Sequence, residues 1–342
     1  MDNKAKLIAG FKRYREKTIK EKSNGWQFKV RVYNKIMKLI REYDGEITSS
    51  ESFRGIKGVG PKMLEKIDKI LQEDGEVDSE TQALNKDIKT SEDLLRITGV
   101  GPVRAKDLAA KGYTLERILD EYASGKLDES LFTHHILIGI KYFHDIEKRI
   151  PRDEIELMEI YMKDVLIDNV DSKLRVQICG SYRRGKKDSG DIDVLVYSNK
   201  RTDGATNEYM FERVIEQFTL DNFIVDSLTP NVNKTKFMGV CKYMEGYPCR
   251  RIDIRFVDKE RLAFAMLYFT GSGDFNMKMR SFALKKGYTI NEYSIKNKKT
   301  NEEVTGINTE RHIFDKLGLK YVPPEKRVPE YDFTNASSQK SK

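Results

Sequence analysis

The sequence predicts a multidomain α+β protein, helical in its first half and strand-bearing in its second. Three observations carry that expectation. Two copies of an apolar-x-Gly-Val-Gly-Pro turn, IKGVGPKMLEKIDKIL from Ile56 and ITGVGPVRAKDLAAKG from Ile97, each lead into helical spacing. Two apolar runs with acids at period two, DIDVLVYS from Asp191 and RRIDIRFV from Arg250, read as strands. A chain of 342 residues, 39% hydrophobic and 10% aromatic, has enough apolar material for two or three packed cores.

At the amino terminus, MDNKAKLIAGFKRYREK is too charged for a secretory signal. No apolar run approaches the roughly 18 residues of a membrane span. The expectation is a soluble intracellular protein, neither secreted nor membrane-bound. The formal charge of +8 comes from lysines and arginines spread along the whole chain, which favours a polyanionic partner. Cys179, Cys241 and Cys249 are odd in number and lack C-x-x-C spacing, and the four histidines form no zinc pattern, so a reducing compartment and plain core thiols are expected.

A basic cluster, FKVRVYNKIMK, begins at Phe28. In the two repeats, Pro61 and Pro102 suit the first position of a helix, where no backbone N–H is needed. Their glycines permit tight turns whose N–H groups can approach a phosphate. The pair reads as two helix-hairpin-helix motifs, which grip the DNA backbone without reading its sequence. In the helix after the first turn, Met63, Leu64, Ile67, Ile70 and Leu71 form an apolar stripe, and Lys62, Lys66 and Lys69 share the opposite side. By spacing alone those lysines read as a solvated face. The last residues, NASSQKSK, read as a disordered tail.

The stretch GSYRRGKKDSGDIDVLVYS from Gly180 holds the chemistry. On its strand, Ile192, Val194 and Val196 face one side while Asp191 and Asp193 face the other, roughly 7 Å apart. In RRIDIRFV, Asp253 and Arg255 likewise oppose Ile252, Ile254 and Phe256. If the two strands are neighbours, three aspartates converge. Three carboxylates beside a phosphate loop suit two Mg²⁺ ions about 3.5–4 Å apart, one at a primer hydroxyl and one on a triphosphate. Ser181, Arg184, Ser189 and Gly190 provide hydroxyls, a guanidinium and a backbone N–H for the phosphates. Asp253 would touch the ion at the attacking oxygen and accept its proton. The stretch reads as a nucleotidyltransferase core.

Over nearly its whole length the chain resembles the family X DNA polymerases, the beta-type members in particular. The matching stretches are FHDIEKRIPRDEI, ICGSYRRG, SGDIDVLV, TKFMGVC, RRIDIR, LYFTGS and KKGYTINEYSI, in the family's order and spacing. No extra amino-terminal protein-interaction domain, as in the larger members, is expected. The resemblance implies a helical deoxyribose-phosphate lyase domain at 1–82 containing the first hairpin. After it would come a thumb-like DNA-binding subdomain at 83–150 with the second hairpin, a nucleotidyltransferase palm with a mixed β-sheet at 151–259, and a small α/β subdomain binding the nascent base pair at 260–335. A disordered tail would fill 336–342.

It implies templated filling of short gaps in base excision repair on gapped or nicked duplex DNA with deoxynucleoside triphosphates. The enzyme would work as a monomer, with a repair ligase or other repair proteins as partners, in the nucleus or at a cytoplasmic site of DNA synthesis. Asp191, Asp193 and Asp253 match the metal ligands for two Mg²⁺ ions, with Mn²⁺ able to substitute. Arg149, Ser181, Arg184, Ser189 and Gly190 match triphosphate contacts. Tyr268, Phe269 and Gly271 match the segment along the incoming sugar, and Asn276 and Arg280 match minor-groove contacts. Arg255, Glu292 and Tyr293 match a network linked to closing.

Lys66 falls at the family's Schiff-base nucleophile, with Lys29, Tyr33, Lys35 and Lys62 supporting it or binding the 5′-phosphate. A lysine amine must be partly neutral to attack an aldehyde, and neighbouring cations lower its pKa in that direction. Gly58, Gly60, Gly99 and Gly101 match hairpins that hold DNA with a monovalent cation, Na⁺ or K⁺, on backbone carbonyls, and Lys236 matches a further DNA contact. Three positions depart from the pattern: Gly273 replaces an acid near the incoming base, Met277 a lysine against the templating base, and Phe28 a histidine that stacks in the gap. These imply lower base discrimination rather than lost catalysis.

Overall fold

The computed structural model describes residues 3–22, 26–56, 59–72, 79–229 and 234–333. The chain divides into two compact units, Met1–Arg96 with Val100–Gly125 and Ile97–Gly99 with Lys126–Lys342. The boundaries expected at 82/83, 150/151 and 259/260 fall inside these units, while Gly58 and the tail expected at 336–342 lie outside the described residues.

The first unit is helical: α1 (Asn3–Glu21), α2 (Trp26–Glu42), α3 (Pro61–Gln72), α4 (Ser79–Leu94), α5 (Pro102–Ala110) and α6 (Leu115–Ala123). The apolar stripe of α3 is buried at Met63, Ile67 and Ile70, against Leu7 and Phe11 of α1 and Ile36, Met37 and Ile40 of α2. Leu64 and Leu71 pack at its margin. Each fully buried aliphatic side chain here is worth roughly 1.5–3 kcal/mol. Gly10 lets α1 approach closely, since a Cβ there would lie 2.7 Å from Ile70. A carboxylate strut adds to this: Asp68 of α3 accepts from Ser50 N (2.8 Å) and Ser50 Oγ (2.6 Å) on a short 3₁₀ turn. Both repeat helices start at their proline, and Gly101 is the extended N-cap of α5.

The second unit begins with α7 (His134–Lys141), capped by Thr133, and α8 (Phe143–Ile146). Its centre is a mixed five-stranded sheet in the order β2-β4-β7-β6-β5. Along the chain come β1 (Ile150–Pro151), α9 (Arg152–Val165), β2 (Leu174–Ile178), α10 (Gly180–Arg183), β3 (Asp188–Ser189), β4 (Ile192–Ser198), α11 (Gly204–Leu220), β5 (Ile224–Ser227), β6 (Lys236–Cys241) and β7 (Arg250–Phe256). Ile192, Val194, Val196, Ile252 and Ile254 are buried in one core with Ile155, Met158 and Met162 of α9 and Phe211, Val214 and Phe218 of α11.

Beyond the sheet, α12 (Leu262–Thr270), α13 (Gly273–Lys285), the hairpin β8 (Tyr288–Ile290) and β9 (Ile295–Asn297), and α14 (Glu310–Lys316) surround a separate core built on Phe264, Phe275, Ile313 and Phe314. Arg183 of α10 clamps the two cores together: it donates to both carboxylate oxygens of Glu310 (3.0 and 2.7 Å), and Arg327 donates to Glu310 Oε1 (2.6 Å). Burial alone would raise the Glu310 pKa, but the two guanidinium groups outweigh it and hold the carboxylate ionised.

Candidate active site

β4 and β7 are parallel neighbours, and their register sets Asp193 directly beside Asp253. Ile192, Val194 and Val196 of β4 and Ile252, Ile254 and Phe256 of β7 are turned into the core, which leaves both carboxylates on the opposite face, where Leu195 packs against Cys179 and Ala265. Burial, reinforced by Asp191 and Asp253, pushes the Asp193 pKa up to about 7. Burial also raises Asp253; Arg251 opposes the rise and Asp191 adds to it. Asp253 Oδ1 is buried without a hydrogen-bond partner. An unsatisfied carboxylate oxygen beside a second carboxylate is a donor set suited to a divalent cation.

The third acid has a charged partner of its own. Asp191 is close enough to raise its neighbours, but its carboxylate is ion-paired with Arg251 of β7. Among the described residues no group of three His, Cys, Asp or Glu side chains is arranged to hold a metal ion. The cause is local: Arg251, Asp253 and Arg255 share one side of β7, so a guanidinium competes for Asp191.

The loop before β4 is shaped around Asp193. Gly180 has φ +56°, and a Cβ there would collide with Asp193 Oδ2. Only glycine meets both demands. Ser181 Oγ donates to Ser189 Oγ (2.8 Å), which ties the loop to β3. Arg184 Nη1 donates to the Thr270 carbonyl (2.6 Å), which ties it to the end of α12.

A cleft of about 480 Å³ opens over these groups. Gly180, Ser181, Arg184, Asp191 and Asp193 line one part, and Tyr268, Phe269, Gly271, Asn276 and Arg280 another. Asn276 Nδ2 donates to the Tyr268 carbonyl (2.7 Å), and the Arg280 guanidinium lies 5.1 Å from the Tyr268 ring centroid. Gly273 and Met277 also line the cleft; a Cβ at Gly273 would meet nothing within 4 Å, and Met277 is 61% exposed.

Three expected phosphate contacts do not line it. Arg149 donates twice to Asp188 Oδ1 (2.9 and 2.7 Å), Ser189 is buried behind Ser181, and Gly190 lies under Arg149. Arg255 Nη1 donates to Tyr293 Oη (3.3 Å), while Glu292 pairs with Arg280 at 3.8 Å. Lys236 stands opposite Arg255 in the register of β6 and β7 and lies close enough to oppose the rise of the Asp253 pKa.

Sequence models of four families match successive parts of the chain: a helix-hairpin-helix domain at residues 2–76, the fingers domain of DNA polymerase lambda at 92–147, the DNA polymerase beta palm at 149–259 and the DNA polymerase beta thumb at 265–328. The chain is 30% identical over 308 residues to DNA polymerase lambda of Rattus norvegicus, covering 86% of this chain and 52% of that protein. It is 27% identical over 313 residues to DNA polymerase lambda of Arabidopsis thaliana, covering 86% and 57%. The chain belongs to the family X DNA polymerases. It spans about half the length of the curated relatives it matches. The family's names for the hand run opposite to those used above: the segment expected to be thumb-like matches its fingers, and the nucleotide-selecting segment matches its thumb.

This family X chain also carries the lysine group of the first unit. Lys66 is half-buried on α3, and its pKa is lowered by burial, then by Lys69 and Lys29. Its Nζ lies 3.9 Å from the centroid of the Tyr14 ring. Tyr33 is buried beneath, with its pKa raised by burial, while Lys29, Lys35 and Lys62 are exposed. Phe28 is 70% exposed. In the second hairpin Gly99 has φ +93°, and a Cβ there would lie 2.9 Å from His135.

Sequence reasoning did not find Arg251, the Arg183–Glu310–Arg327 clamp or Tyr14. Arg251 had a signal in its alternation with Asp253. The clamp had none, because Arg183 and Glu310 are 127 residues apart. Among the described residues no helix is long and apolar enough to cross a membrane.

Proposed function

We propose that this chain is a DNA-directed DNA polymerase that fills short gaps in base excision repair, and that it removes 5′-deoxyribose phosphate through Lys66. The observation that carries the polymerase reading is the register pairing of Asp193 with Asp253 above the Gly180 loop. Mg²⁺ held by Asp191, Asp193 and Asp253 would supply positive charge to the triphosphate and acidify the primer hydroxyl.

The protein's own groups do the positioning. Ser181 and Arg184 grip the phosphates, and Tyr268, Phe269 and Gly271 lie along the sugar. Asn276 and Arg280, fixed against Tyr268, meet the base pair. Asp253 accepts the proton of the primer hydroxyl, a role that its buried, unpartnered Oδ1 supports. Asp191 reaches this arrangement by giving up Arg251. With Gly273 adding no side chain and Met277 a flexible apolar one, base discrimination is lower than in a beta-type family member that carries an acid and a lysine at these positions.

For the lyase, the Lys66 amine adds to C1′ of the ring-opened sugar, and the carbonyl oxygen leaves as water with the two amine protons. Loss of a C2′ proton then breaks the C3′–O bond and releases the DNA with its 5′-phosphate, and water hydrolyses the imine to restore the amine.

The test is single-nucleotide insertion on a one-nucleotide gapped duplex with a 5′-phosphate and Mg²⁺, each template base against each deoxynucleotide. Insertion following the template is expected, with mismatched rates above those of a beta-type family member carrying the acid and the lysine, measured alongside. Insertion indifferent to the template would replace the reading with terminal transfer.

A further inference from the structure

We propose that Tyr14 is a positioning residue for Lys66, its ring face seating the amine for attack on the sugar aldehyde. The proposal rests on the lyase reading above and extends it to a residue on a different helix.

A lysine side chain has four rotatable bonds, so an amine on a helix surface samples many positions. Here the Lys66 Nζ stands 3.9 Å above the centroid of the Tyr14 ring, well inside the range in which a ring face attracts an ammonium group. The ring is itself held. It stacks on Tyr33 with centroids 6.0 Å apart and planes at 27°, and it leans on Phe11 at 6.3 Å. Phe11 is fully buried and contacts Tyr33 at 6.1 Å, so the three rings form a fixed floor supplied by α1 and α2 under a residue of α3.

This floor acts on the two protonation states differently. A ring face attracts the ammonium ion through its quadrupole and has little hold on a neutral amine. The resting cation is therefore parked at a defined point, and deprotonation frees the nucleophile there. The charged groups acting on Nζ come from every packed element: Lys69 and Glu65 from α3 itself, Lys29 from α2, and the Tyr14 ring from α1. The lysines favour the neutral amine; Glu65 and the ring favour the cation.

The experiment is single-turnover release of deoxyribose phosphate from a nicked duplex with a 5′-deoxyribose-phosphate end, followed against pH, with borohydride capture of the covalent intermediate. Tyr14→Leu should release more slowly by about five- to tenfold, and the midpoint of its pH profile should fall by about half a pH unit because the cation has lost its support. Tyr14→Phe should keep the wild-type midpoint and stay within about twofold in rate, because the ring remains. A wild-type rate and midpoint in Tyr14→Leu would overturn the proposal. So would a slower Tyr14→Leu with an unmoved midpoint and a lowered melting temperature, which would mark a packing role. A Tyr14→Phe as slow as Tyr14→Leu would overturn it too, by giving the role to the hydroxyl. Absence of release and capture in the wild type would instead remove the lyase reading itself.

Discussion

Asp193 and Asp253 lie side by side and partly buried in the second unit, and Lys66 lies partly buried beside Lys69 and Lys29 in the first. At Asp193 and at Lys66 burial comes first and like charge second, and both disfavour the ionised form. The sign of the charge separates the outcomes. A carboxylate whose pKa is raised can be relieved by a bound cation, and Asp253 Oδ1 has a lone pair to offer it. A lysine whose pKa is lowered is relieved by losing a proton, and the product is a nucleophile. On the proposed function, one physical device would prepare a cation holder in one unit and a reactive amine in the other.

If that division holds, the two sites fail independently. Asp253→Ala should lower gap filling by about a thousandfold or more while borohydride capture stays at the wild-type level. Loss of both activities together would mean that they share a site. Lys66→Ala should do the reverse, cutting deoxyribose phosphate release by roughly a hundredfold and sparing insertion. Lys66→Arg, which keeps the charge and loses the nucleophile, should be equally inactive; a working arginine variant would move the chemistry to another lysine.

A smaller effect sharpens the carboxylate side. Gly180→Ala needs a positive φ and pushes a Cβ into Asp193, so insertion should fall by about ten- to a hundredfold with release unchanged. An alanine variant with wild-type insertion would show that Asp193 is free to move. The smallest effect tests the lysine side. Because the Lys66 pKa is lowered, its neutral fraction grows at a lower pH than for an ordinary lysine, so release should rise with pH to a midpoint below the usual value of about 10.4. In Lys69→Ala the midpoint should move back up, since a repelling cation is gone; a midpoint that stays put would leave burial and Lys29 as the causes.

Several of these features could be read locally. Acids alternating with apolar residues in two strands need only a pairing of those strands to meet, and the parallel register of β4 and β7 provides it. Pro61 and Pro102 marked the starts of α3 and α5, and the buried stripe of α3 followed from its spacing. Lys66 was a different case. Spacing placed it on a solvated face, and the likeness to family X polymerases was what singled it out.

By itself the sequence determined the periodic features: which residues of β4, β7 and α3 are buried, where the repeat helices begin, and that the acids share a side of their strands. The reason is that side-chain direction follows backbone period, a property of neighbours in the chain. Tertiary structure alone decided that Asp191 turns to Arg251, that Arg149 is held by Asp188 instead of lining the cleft, that Arg183 and Arg327 close on Glu310, and that Tyr14 lies under Lys66. Each is a choice among partners brought together by packing, and no local pattern records which partner is nearest once the chain has folded.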